Sequence, residues 1–278
     1  MIYVVLPAYN EELALPPLLG RIAKTCEELG AKYECVVVDD GSSDRTPEVV
    51  EELSRSYPIH SIRHKMNRGL GETARDGFEY VAEVGGPDDV LIRMDCDDTH
   101  DPKYFKSMID KLNEGHEVVT TSRYSPGGGQ EGVNLYRRFM SRGANTLMKI
   151  VFPIRGIWEY SCGYRAYRVS FIKDAMDLFG NSFLDLKGMG FTGTVEKMIK
   201  ARIMRANAAQ VPFVLRYDMK QGGSKVVTSL TTLGYFVLIA KFFYPWGDMG
   251  KHWKAAGLER RRRLYPNGEL VADPVRYD

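Results

Sequence analysis

Leu91-Ile92-Arg93-Met94-Asp95-Cys96-Asp97-Asp98-Thr99-His100-Asp101 is the stretch that decides the fold. Val90–Met94 is a short apolar run of the kind that makes a buried strand, and it runs straight into Asp95, Asp97, Asp98 and Asp101. Carboxylates this dense repel one another and are not buried without an opposite charge. A strand that delivers them to its C-terminal end places them where open α/β sheets bind ligands. Hard divalent cations prefer oxygen ligands and commonly bridge a protein carboxylate to substrate phosphates. Asp95 and Asp97 are therefore candidate ligands for Mg²⁺ or Mn²⁺ carrying a nucleoside diphosphate. The alternative is a solvated acidic loop capping a helix that starts near Pro102.

The flanking sequence repeats the pattern. Ile2–Leu6 is a β-branched run closed by Pro7, and Ala14–Glu28 follows with helical spacing of Leu15, Leu18, Leu19 and Ile22. Tyr33–Val38 again runs into acid, Asp39-Asp40-Gly41-Ser42-Ser43-Asp44. Thr46, Pro47 and Glu48 then read as N-cap, first-turn proline and early acid of a helix. Ile59–Arg63 and Glu117–Ser122 predict strands, and Thr73–Val84 and Tyr104–Leu112 predict helices. This alternation with short connections is the signature of a mostly parallel, Rossmann-like sheet covered on both faces. The fold class is α/β, with one ligand-binding edge expected at the C-terminal ends of the strands.

Beyond Tyr124 the character changes. Ser125–Gly132 reads as a glycine-rich connection or lid, and Asn134–Ile150 as a helix bearing Arg137, Arg138 and Arg142. Helices are expected over Ser170–Leu178 and Gly193–Ala201, and a strand near Gln210–Tyr217. Leu230–Trp246 is apolar and aromatic, interrupted by Lys241; it either packs on the sheet or lies in a membrane interface. Arg260–Arg263 reads as an exposed basic turn, able to meet anionic headgroups at about 1 kcal/mol per charge.

With 278 residues the chain accommodates one large α/β domain with appendages. A net charge of +2 argues against a bulk nucleic-acid binder. Cys26, Cys35, Cys96 and Cys162 are scattered without zinc spacing, which favours free thiols in a reducing compartment. The opening MIYVVLPAYN lacks a basic leader region, and no uncharged apolar run reaches the ~18–20 residues of a spanning helix. A cytoplasmic protein that need not avoid a membrane surface is the expectation.

Three motifs at three successive strand ends carry a family resemblance: Val4-Val5-Leu6-Pro7-Ala8-Tyr9-Asn10-Glu11-Glu12, Val38-Asp39-Asp40-Gly41-Ser42-Ser43-Asp44, and Asp95-Cys96-Asp97. The chain resembles the family 2 inverting glycosyltransferases of GT-A fold. Ser122-Arg123-Tyr124, the Arg137 to Asn145 segment, Ser161-Cys162-Gly163-Tyr164-Arg165 and Gly222-Gly223-Ser224-Lys225 resemble one branch, the dolichyl- or polyprenyl-phosphate mannose and glucose synthases. The resemblance runs to about Lys225 and implies a catalytic region 1–225; the remaining 226–278 reads as a helical, membrane-interfacial tail. It implies that Pro7, Tyr9, Glu11 and Asp39 contact base and ribose. Asp95 and Asp97 would meet the metal and diphosphate, and Arg123, Arg137, Ser141 and Lys225 the acceptor phosphate or leaving group, with Asp97, Arg123 and Arg137 as the catalytic set. The donor it implies is GDP-mannose, with UDP-glucose as the second choice, and the acceptor a polyprenyl phosphate. Similar enzymes carry Gln where this chain has Thr99. Glu159 stands where relatives have an acid that can act as base; a phosphate acceptor needs none, so a positioning role is expected.

Two rivals follow from the same residues. Gly69-Leu70-Gly71-Glu72-Thr73-Ala74 matches G-x-G-x-x-A and suggests a nicotinamide or flavin oxidoreductase, although it follows the third strand rather than the first. A family 2 enzyme with a soluble sugar, glycan or protein acceptor is the other, and in it Glu159 would be indispensable.

Overall fold

A computed structural model describes residues 1–186, 192–219, 228–243 and 248–265. The chain starts with β1 (Ile2–Ala8), α1 (Leu15–Glu28), β2 (Tyr33–Asp39), α2 (Thr46–Leu53), β3 (Ile59–Arg63), α3 (Leu70–Val84) and β4 (Val90–Arg93). It continues through α4 (Phe105–Asn113), β5 (Val118–Ser122), β6 (Gly129–Glu131), α5 (Leu135–Val151), β7 (Arg165–Arg168), α6 (Val169–Phe179) and α7 (Thr192–Ile203). Then come β8 (Ala208–Pro212), β9 (Val214–Arg216), α8 (Thr228–Phe243) and α9 (Asp248–Leu264).

The main sheet has seven strands in the order β3-β2-β1-β4-β7-β5-β8. All neighbours pair parallel except β7, which runs antiparallel between β4 and β5. Successive side chains of a strand point to opposite faces. Val4 and Leu6 accordingly pack with Leu15, Leu18 and Phe105 on one face, while Val5 packs with Phe78, Val81 and Met198 on the other. Pro7 lies inside β1, not after it. Its missing N–H falls on the β4 side, where Met94 donates to the Val5 carbonyl at 3.2 Å and gets no Pro7 N–H in return, so the β1–β4 ladder ends there.

Three expectations are corrected. Ser125–Gly132 is no free loop: β6 within it pairs parallel with β9, Gly129 to Val214 through Glu131 to Arg216. Thr46 is the first residue of α2 rather than its cap, and its Oγ1 accepts the Glu11 N–H at 2.8 Å. Arg260–Arg263 is the end of a helix, not a turn. Arg260 is buried there, with Nη2 2.5 Å from Glu117 and Nε 2.6 Å from Asp174. That leaves Arg262 and Arg263 as the exposed part of the cluster. The apolar segment divides its allegiance: Leu238 enters the core under α7, while Leu233, Phe236 and Phe243 are exposed. Among the described residues no helix is long and apolar enough to cross a membrane. All four cysteines are free and buried.

Candidate active site

The strand ends gather the acids as the sequence pattern requires. At the end of β2, Asp39 Oδ1 accepts the Ser42 N–H at 3.0 Å. Its Oδ2 is buried with no hydrogen-bond partner, 3.4 Å from Arg63 Nε. An orphaned buried carboxylate oxygen is costly unless a ligand supplies a donor. The β1–α1 and β2–α2 loops are sewn together. Asn10, in the left-handed region at φ 53°, donates its N–H to Ser42 Oγ and accepts the Ser43 N–H, at 2.9 and 2.8 Å. Pro7, Tyr9, Glu11 and Asp39 are thereby held at one end of the sheet, Ala8 opposite Asp39 in register.

Asp40 behaves differently. Its two oxygens accept the Arg68 and Gly69 N–H groups, each at 2.8 Å, and His64 Nδ1 lies 2.7 Å from Oδ1. The glycine-rich entry to α3 is thus closed by the protein's own carboxylate. A dinucleotide pyrophosphate needs those N–H groups. The G-x-G-x-x-A match therefore carries no nucleotide here, and the oxidoreductase reading loses its physical basis.

Past β4, Asp97 Oδ1 accepts both the Thr99 hydroxyl at 2.6 Å and the Thr99 N–H at 3.3 Å. Thr99 therefore orients Asp97 instead of reaching outward. His100 Nδ1 accepts the Asp95 N–H at 3.0 Å, which assigns the ring proton to Nε2, 3.7 Å from Asp95 Oδ2. Burial pushes His100 below its ordinary value, against the pull of Asp95 and Asp97. Its ring stacks on Tyr164 at 4.9 Å, so it is a packed orienter and not a metal ligand. Cys96, between the acids, is buried in the core as expected.

Asp95, Asp97, Arg123, Arg137 and Ser141 all line one cleft of about 510 Å³. Arg123 is clasped by Glu159, Nε to Oε2 at 2.9 Å and Nη2 to Oε1 at 2.7 Å, and Nη2 also reaches Ser141 and Ser161. Burial works against the Arg123 charge, but the Glu159 carboxylate overrides it and holds the guanidinium above its ordinary range. Glu159 is fully buried, and its Oε1 also accepts the Ser161 hydroxyl at 2.8 Å. Arg137 projects from the first turn of α5, capped by Asn134, and donates to Tyr217 at 2.7 Å. The far wall of the cleft is apolar: Tyr136, Phe139, Met140 and Leu147 of α5 face Tyr235 and Phe236 of α8. Lys225 and its glycines lie outside the described residues.

Sequence reasoning missed Arg93, His100 as orienter, and the Asn145 amide that ties Ser161 and Tyr160 to α5. Only Arg93 left a signal, as a lone charge inside an apolar strand. Among the described residues no group of three or more His, Cys, Asp or Glu is arranged to hold a metal, so Asp95 and Asp97, both lining the cleft, would offer a sparse all-oxygen donor set. Such a set suits Mg²⁺ or Mn²⁺, which keep waters and take further oxygens from substrate phosphates.

Solved structures share this fold class, the GT-A architecture. Glucosyl-3-phosphoglycerate synthase of Mycobacterium tuberculosis, solved with Mn²⁺, UDP and glucosyl-3-phosphoglycerate, superposes with a TM-score of 0.58 at 17% identity, covering 89% of this chain and 81% of that one. Sequence narrows the class: the chain belongs to glycosyltransferase family 2, whose profile, "Glycosyl transferase family 2", matches residues 3–175. It is similar to a dolichol-phosphate mannosyltransferase of Pyrococcus furiosus, 34% identical over 84% of this chain and 60% of that protein. It is also similar to a polyprenol monophosphomannose synthase of Mycolicibacterium smegmatis, 32% identical over 92% of this chain and 91% of that protein. The chain thus spans less than two thirds of the first relative's length and nearly all of the second's.

Proposed function

We propose that this chain transfers a hexose, mannose in the first instance, from a nucleoside diphosphate sugar to a polyprenyl phosphate at a membrane surface. The observation that carries the reading is the two-natured lining of one cleft, where Asp95, Asp97, Arg123 and Ser141 share walls with the apolar side chains of α5 and α8. A lipid phosphate needs both; a soluble sugar acceptor has no use for the apolar side chains. The names of the two relatives support the same acceptor and a mannosyl donor.

Asp39 would accept N–H groups from the base edge through its unpaired Oδ2, and Glu11 a ribose hydroxyl. Asp95 and Asp97 would hold Mg²⁺ or Mn²⁺, whose contribution is Lewis-acid stabilisation of charge on the departing diphosphate. Arg137 and Ser141 would orient the acceptor phosphate, with Arg123 fixed behind them as a preset positive charge. Preset charge of this kind costs no reorganisation during reaction. The phosphate is an anion at neutral pH and attacks in line, with inversion, without a general base. Glu159, with both oxygens already accepting, acts as the counter-charge that keeps Arg123 in place.

The lipid acceptor fixes where the protein works. Most of α5 is exposed, and its exposed residues include Leu135, Tyr136, Phe139 and Ile150, flanked by Arg138 and Arg142. Exposed apolar surface beside cations fits an anionic bilayer surface. With α8 it forms the membrane-facing rim, a better candidate than the Arg260–Arg263 cluster alone, since Arg260 is consumed internally. The test is incubation of the purified protein with labelled GDP-mannose or UDP-glucose and a polyprenyl phosphate in detergent. Chloroform-soluble label is the expected product; label found only on a water-soluble acceptor overturns the reading.

A further inference from the structure

Arg93 ends β4, two residues before Asp95, and is 2% exposed. Across the antiparallel ladder it stands opposite Arg165, which is fully buried. Like charges directly opposite in a sheet repel, and a desolvated guanidinium is costly without acceptors. Arg165 meets that cost with three neutral oxygens: Thr120 Oγ1 at 3.2 Å, the Thr194 carbonyl at 2.6 Å and the Tyr160 carbonyl at 2.5 Å. Arg93 has no such set. Both its Nη atoms are buried without a hydrogen-bond partner. The counter-charge of these two atoms is Asp95: Nη2 lies 2.6 Å from Oδ1, off the direction of a proper hydrogen bond.

Room for this guanidinium exists because residue 163 is glycine. A Cβ at Gly163 would overlap Arg93 Nη1 and stand 2.9 Å from Cζ. The Gly163 backbone needs no left-handed conformation, so the demand for glycine here comes from Arg93 and not from a turn. Gly163 and Asp95 both line the cleft, while the Arg93 end group sits behind them. On the other side of Asp95 stands His100 Nε2, 3.7 Å from Oδ2.

We propose that Arg93, seated against Gly163, is a positioning residue for Asp95: it draws Oδ1 inward and leaves Oδ2 as the oxygen offered to a divalent cation. The proposal rests on the reading of Asp95 as a metal ligand given above. Outer partners of metal-binding groups are typically worth 10–100-fold in metal affinity.

The test measures Mn²⁺ binding by electron paramagnetic resonance, with GDP and in parallel with UDP, for the full chain and for Arg93→Met, Gly163→Ala and the double variant. Each single substitution is expected to weaken Mn²⁺ binding at least 10-fold while leaving metal-free nucleotide binding unchanged. Gly163→Ala should add nothing in the Arg93→Met background, because the flexible thioether yields where the guanidinium cannot. Equal Mn²⁺ affinity in the wild type and both single variants overturns the role of Arg93, and so do additive effects in the double variant. Absence of Mn²⁺ binding by the wild type with either nucleotide overturns the metal reading itself. Gly163→Ala keeps every charge and displaces only the end of a side chain, so it decides the matter even if Arg93→Met does not fold.

Discussion

Glu159→Gln separates two chemistries that share one geometry. The substitution keeps shape and removes charge, leaving Arg123 buried beside a neutral amide whose NH₂ faces the guanidinium it formerly accepted from. Breaking a buried ion pair from one side costs about 3–5 kcal/mol, and Gln retains one acceptor, so the low end, about 3 kcal/mol, applies. Unfolding entropy of about 2.1 cal/mol/K per residue gives about 0.58 kcal/mol/K for 278 residues. The expected fall in Tm is therefore about 5 °C. Turnover with a polyprenyl phosphate acceptor should change less than about 10-fold, since no proton is taken from that acceptor. Differential scanning fluorimetry gives the first quantity and the lipid-transfer assay the second. A Tm within 1 °C of wild type together with a collapse of kcat and loss of the acid limb of its pH profile would refute the reasoning and make Glu159 a base.

Further outcomes are expected. Asp97→Ala should reduce transfer at least about 100-fold, and EDTA should abolish it reversibly, as read in the same assay with added Mg²⁺ or Mn²⁺. Thr99→Val, which removes the hydroxyl held 2.6 Å from Asp97 Oδ1, should weaken Mn²⁺ binding about 10–100-fold; unchanged affinity would assign Thr99 to packing alone. Phe139→Asp should lower partition onto anionic vesicles about 10–100-fold in a co-sedimentation assay, the worth of about 1.5–3 kcal/mol of aromatic insertion; no change would remove α5 from the membrane rim. Arg260→Met strands Glu117 without its cation and leaves Asp174 to the exposed Arg263 at 3.6 Å, so Tm should fall several degrees and trypsin should release α9 first.

Much of this molecule is written locally. β1, β2, β4 and β5 are apolar runs that end in polar or acidic residues, so their existence and the functional edge follow from strand periodicity and the cost of burying charge. β7 does not: Arg165-Ala166-Tyr167-Arg168 has two arginines in four residues, and its place between β4 and β5 depends on acceptors from Thr120, Tyr160 and Thr194. β6 escapes notice for the opposite reason, being a three-residue piece among glycines that exists only against β9, and the single strand expected near Gln210–Tyr217 is divided between β8 and β9. At the site, the carboxylate pair is legible because like charges cluster in sequence. The Arg123–Glu159 clasp spans 36 positions, and the Arg93–Gly163 fit spans a strand crossing, so neither leaves a short-range pattern.

The carboxylate of Asp40 at the mouth of α3 has a consequence for what this scaffold can become. A helix entrance that in other α/β proteins greets a cofactor's phosphates is here plugged by a resident anion, braced by His64 and, through it, Asp76. The corner is thereby closed to a phosphate, and the Met66–Asn67 backbone packs against Gly41 beside it. Converting the scaffold to a dinucleotide user would mean evicting that plug first, and the Met66–Asn67 backbone, packed within 3 Å of any Cβ at Gly41, would lose its footing with it.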